Sequence, residues 1–121
     1  MNPLSVGQHT VIYKGVTFGE NVVIGNNVVI YEDTVIENNV IIQDNAVIGK
    51  QPVRAKNSAL PPIENKLTSA RIGSGVTIGT SSIIYASAEI ANEVFIADLA
   101  TVRERVKVGS KTIVGRGVSI E

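Results

Sequence analysis

The groups in this chain able to carry chemistry are few and unevenly placed. Its 121 residues include one histidine, His9, and no cysteine. An imidazole titrates near neutrality, so His9 is the candidate general base, although an exposed turn residue is the plainer reading of it. The lack of cysteine excludes disulfides, thiolate metal sites and a thiol nucleophile. Charge is segregated along the chain. Residues 1–49 hold Lys14 against Glu20, Glu32, Asp33, Glu37 and Asp44, a net of −4; residues 50–72 hold Lys50, Arg54, Lys56, Lys66 and Arg71 against Glu64, a net of +4. A basic segment beside acidic ones suits an anionic ligand such as a diphosphate, which gains charge-assisted hydrogen bonds from Lys and Arg. An ordinary charged surface loop is the alternative. The chain as a whole sums to zero, so bulk electrostatics gives no reason to expect nucleic acid.

The elements that must position these groups are written in a six-residue period. Branched aliphatics or Phe recur at every multiple of six from Val6 to Ile48 and again from Ile72 to Ile120, and a small or β-branched residue follows four places after each but the last of either run. A helix repeats at about 3.6 residues and a strand at 2, whereas a unit of short strand plus turn repeated every six builds a parallel β-helix. The fold class is therefore all-β. Eighteen residues make one triangular turn and neighbouring turns stack about 4.8 Å apart, so sixteen hexads predict about five turns and a height of roughly 26 Å. The narrow interior accepts Val and Ile and leaves little room for large aromatics, in keeping with two Phe, three Tyr and no Trp.

The period lapses between Ile48 and Ile72, where Pro52, Pro61 and Pro62 fall. Residues 51–70 are predicted to leave the coil as one extended loop, and residues 1–121 to form a single domain interrupted by it. If the insertion is one turn's worth, the order of the three faces resumes unchanged at Ile72. That register places Tyr13, Tyr31, Gly49, Tyr85 and Arg103 on one edge, as an aromatic ladder, a subunit interface or a ligand surface. Lys14, Glu32 and Lys50 form the next column, read as a salt ladder. Residue 120 is an inward aliphatic followed only by Glu121, so further coils or a cap are expected to be missing. No basic stretch followed by an apolar one opens the chain and no segment nears 18 apolar residues, which predicts no membrane partner and a cytoplasmic location.

Units such as Ile24-Gly-Asn-Asn-Val-Val and Ile72-Gly-Ser-Gly-Val-Thr resemble the hexapeptide repeat of the left-handed parallel β-helix acyltransferases. The resemblance implies the left hand. Residues 47–66 and 97–121 are similar to the nucleotide-sugar N-acetyltransferases. That likeness implies an acetyl-CoA-dependent N-acetyltransferase acting on a nucleotide-linked amino sugar, with the site between subunits of a homotrimer. On this reading the substrate is held by Tyr31, Lys50, Gln51, Arg54, Lys56, Arg71 and Tyr85, and coenzyme A by Asp98, Arg103, Lys111 and Arg116. An Arg103–Glu104 pair at a subunit contact is the other reading of that segment. Amine acylation needs positioning and oxyanion donors more than a strong base, so His9 is a candidate rather than a requirement. No metal is expected, because the carbonic anhydrases of similar coil use three His ligands. The rival reading is a non-catalytic β-helix module for oligomerisation or scaffolding, or a truncated acyltransferase lacking activity.

Overall fold

The computed structural model describes residues 4–53, 55–57 and 67–121. The chain winds through three parallel sheets that form the sides of a prism. The first face is built from β1 (Ser5–Val6), β4 (Val23–Ile24), β7 (Ile41–Ile42), β10 (Thr77–Ile78), β13 (Phe95–Ile96) and β16 (Ile113–Val114). The second holds β2 (Val11–Ile12), β5 (Val29–Ile30), β8 (Val47–Lys50), β11 (Ile83–Tyr85), β14 (Thr101–Val102) and β17 (Ser119–Ile120). The third holds β3 (Thr17–Phe18), β6 (Val35–Ile36), β9 (Arg71–Ile72), β12 (Glu89–Ile90) and β15 (Lys107–Val108). Each strand pairs with the one three elements on, so the chain is a parallel β-helix of the left-handed form that its hexapeptides imply. Two faces of six strands make about six turns rather than the five expected, because the strands of both terminal coils also pair.

The second residue of each strand points inward, and the row from Ile24 to Ile96 is buried throughout. Burial of each such aliphatic is worth about 1.5–3 kcal/mol. The expectation that every sixth residue is buried fails at the prism's ends. Val6 is 42% exposed, and Ile12, Phe18 and Ile120 are only partly covered, since an end coil has a neighbour on one side only. Register resumes across the insertion as expected: β6 pairs β9 with Val35 opposite Arg71, β7 pairs β10 with Ile41 opposite Thr77 and β8 pairs β11 with Val47 opposite Ile83, each a separation of 36 residues where the remaining neighbours are 18 apart.

Turning each corner requires a residue in the left-handed backbone region three places after the inward aliphatic. Among the described residues, twelve non-glycine ones have φ between 57° and 65°, from His9 to Lys111. Asn and Asp, which tolerate this region best, fill five of those positions: Asn21, Asn27, Asp33, Asn39 and Asn45. One place earlier, corner side chains bond between coils. Asn26 and Asp44 accept from the Gln8 and Asn26 backbone amides, and Asp98 accepts from Thr80 at 2.9 Å. Inward hydroxyls are satisfied in the same way, Ser82 donating to the Ala97 carbonyl and accepting from the Ala100 amide.

Candidate functional site

The edge between the second and third faces carries the unusual chemistry. Tyr13 and Tyr31 stack there with centroids 5.2 Å apart and planes 8° from parallel. Gly49 interrupts the ladder. Its φ of 84° makes a β-bulge, and the pairing shifts so that Tyr85 lies opposite Lys50 rather than Gly49. Lys50 therefore leaves the column expected for it beside Lys14 and Glu32, and its Nζ comes 5.9 Å from the centre of the Tyr85 ring. The Arg103 guanidinium lies 4.1 Å from the same centre. Both contacts are within cation–π range. Arg103 Nε donates to Glu104 at 3.0 Å, and that hydrogen bond raises the arginine pKa against the opposing effect of burial. The Arg103–Glu104 pair forms between sequence neighbours of one chain.

Gln51 closes the neck of the insertion. Its side-chain amide donates to the Leu67 carbonyl at 3.3 Å and accepts from the Leu67 amide at 3.4 Å, tying the outgoing chain to the returning one. A cavity of about 220 Å³ opens beside this neck, lined by Tyr31, Glu32, Gly49, Gln51 and Thr68 among others. A larger groove, about 550 Å³, runs over the third face past Glu37, Arg71, Glu89 and Lys107. Its charges already pair with one another, Arg71 with Glu37 at 4.0 Å and Lys107 with Glu89 at 3.8 Å. Such exposed pairs contribute little stability.

Among the expected substrate residues, then, Tyr31, Lys50, Gln51 and Tyr85 come together at this edge, while Arg71 is engaged on the third face. Lys56 is exposed in the insertion, and Arg54 lies outside the described residues. The four residues assigned to coenzyme A do not converge within one chain. Asp98 and Arg116 occupy the corner after the first face, Arg103 the corner after the second and Lys111 the corner after the third, where it adopts the left-handed turn conformation. His9 is likewise an exposed left-handed turn residue (φ 60°) on the corner after the first face, away from the tyrosine edge. Gly49, which the sequence places in the column of tyrosines, also forms the bulge that moves Lys50 opposite Tyr85.

A family model for bacterial transferase hexapeptide repeats (six repeats) matches residues 15–50. The matched stretch is 36 of the 121 residues. No curated protein matches it. Among solved structures, the Francisella novicida UDP-N-acetylglucosamine acyltransferase superposes with a TM-score of 0.56 at 17% identity, over 97% of this chain and 58% of the other. A perosamine N-acetyltransferase from Caulobacter crescentus, solved with CoA and GDP-perosamine, gives a TM-score of 0.40 at 15% identity, covering 97% of this chain and 52% of that one. The chain thus spans little more than half the length of these structures, and the likeness is one of fold. No helix among the described residues is long and apolar enough to cross a membrane.

Proposed function

We propose that the chain is an acetyl-CoA-dependent N-acetyltransferase for a nucleotide-linked amino sugar, acting as a homotrimer with its sites between subunits. The observation that carries this reading is the second-to-third edge, where Lys50 and Arg103 flank Tyr85 beside the cavity at the neck of the insertion. Two cations on an aromatic surface suit a diphosphate joined to a ring. The hexapeptide transferase match supports a transferase, and the UDP-N-acetylglucosamine acyltransferase of similar fold lends support to a nucleotide-sugar substrate.

In the proposed reaction the neutral amine of the sugar attacks the thioester carbonyl. A C–N bond forms, the C–S bond breaks, the sulfur leaves as thiolate and the amine gives up a proton. An amine with a pKa near 8 is partly neutral at pH 7, so holding it against the carbonyl supplies much of the acceleration. His9 takes the proton only at a site shared between subunits, because within one chain it stands on another corner. The same logic applies to Asp98, Arg116 and Lys111, which reach one coenzyme A only from more than one subunit. An apolar outward row on the first face, with Val23, Ile41, Phe95 and Ile113 between 43% and 75% exposed, supports self-association.

A non-catalytic scaffold is the second reading, favoured by the employment of Asp98 and Gln51 in backbone hydrogen bonds. Calorimetric titration with acetyl-CoA and with nucleotide-linked amino sugars, followed by a coloured assay for free thiol, separates the two. Thiol release that depends on the amino sugar is expected. Absence of binding by both ligands leaves the scaffold.

A further inference from the structure

The nucleotide-sugar reading underlies this inference, which adds what part of the ligand is held and where. One face of the Tyr31 ring is covered by Tyr13. The other looks along the edge toward the rung of residue 49. That residue is a glycine, and the bulge carries the next side chain, Lys50, to the level of Tyr85. The ladder therefore has rings on its first, second and fourth rungs and no side chain on its third, and the cavity of about 220 Å³ opens at that place. The rungs of Tyr31 and Tyr85 are two turns apart, roughly 9.6 Å, which admits a planar group between them.

We propose that the vacant third rung seats the base of a nucleoside diphosphate, stacked on the open face of Tyr31. Charge sets its orientation. Glu32 and Asp33 line the cavity, whereas Lys50 and Arg103 lie around Tyr85, which is not part of its lining. A carboxylate repels phosphate and accepts from ring N–H and amino groups. The base accordingly enters beside Glu32 and the diphosphate points to Lys50 and Arg103. Guanine, which offers an N–H and an amino group side by side, fits a carboxylate better than thymine, which offers a lone N–H.

The test uses the full chain titrated with GDP and dTDP. With three Tyr and no Trp, its emission is tyrosine alone, and GDP is expected to quench it. Tyr31→Leu should weaken GDP binding roughly 5- to 150-fold, the range for loss of a base–aromatic stack. Glu32→Gln should bring the GDP and dTDP affinities together. Saturation-transfer NMR on the unaltered protein, strongest at the guanine H8, gives a readout independent of any variant. Wild-type GDP affinity in a folded Tyr31→Leu protein, or transfer confined to the ribose, overturns the seat and leaves the transferase reading standing. If the unaltered chain binds neither GDP nor dTDP the seat falls, and failure to bind nucleotide-linked amino sugars and acetyl-CoA as well removes the transferase reading with it.

Discussion

Replacing Gly49 by Ala probes the bulge that shapes the edge, and its cost can be worked from two contacts. Gly49 has φ 84°, where an L-residue is disfavoured by roughly 1–2 kcal/mol. A Cβ built there falls 2.7 Å from Thr34 Oγ1 and 3.4 Å from Tyr31 Cβ. Thr34 is fully buried and donates to the Tyr31 carbonyl at 2.8 Å, so its hydroxyl has nowhere to retreat without losing a hydrogen bond of about 0.5–1.5 kcal/mol. The single change should therefore destabilise by about 2–3 kcal/mol. Removing the hydroxyl first tells the two parts apart. In a Thr34→Ala background the steric part vanishes and Gly49→Ala should cost only the backbone part, so the double-mutant cycle should give a coupling of about 0.5–1.5 kcal/mol. Urea unfolding followed by tyrosine emission at fixed protomer concentration measures it, since association would couple stability to concentration. Additive effects would show that the Gly49 backbone, rather than its approach to Thr34, sets the requirement for glycine. A Gly49→Ala protein as stable as wild type would refute the bulge itself.

Ile36→Asp places a carboxylate in the closed apolar core and should abolish cooperative folding; a soluble variant with unchanged melting temperature would discredit the inward register. Leu99 holds φ 62° while more than half exposed, so Leu99→Asn should raise the melting temperature by about 2–4 °C, read by circular dichroism; a fall would mean that Leu99 is covered by a partner in solution. Ile113→Glu should convert a trimer seen by light scattering into a species of 12.8 kDa, and a monomeric wild-type protein would remove the shared site altogether.

The inward rows were legible because burial acts on residue type: a coil of six-residue sides admits an aliphatic at one place and a small residue at another, and the sequence has to comply. The corners were less legible. Their left-handed residue tolerates Asn27 and Asp33 but also Leu99, Arg105 and Lys111, because each pays roughly 1–2 kcal/mol against a whole turn of strand pairing. No residue type announces the position. The Gly49 shift was hidden for another reason. A hexad count treats Gly49 and Lys50 as successive places, whereas pairing decides which of them stands opposite Tyr85, and that depends on a backbone conformation rather than a side chain.

The same repetition complicates the reading of function. Stacking every 18 residues gives each corner side chain a structural partner above and below, so Asp98, drawn to coenzyme A by sequence, is found bonding the Thr80 amide as Asp44 bonds Asn26. A residue that continues a ladder is explained by the ladder. The informative rungs are those that break one: Gly49, which removes a ring from the tyrosine column, and Arg103, which ends the column with a cation lying on the last ring. A regular coil requires neither, since Tyr31 shows that a tyrosine fits this edge where there is no bulge; at residue 49 the bulge itself demands glycine. Both breaks fall on the edge from which the insertion departs, and their coincidence with the cavity at its neck is the reason for locating ligand chemistry there rather than in the larger groove of the third face.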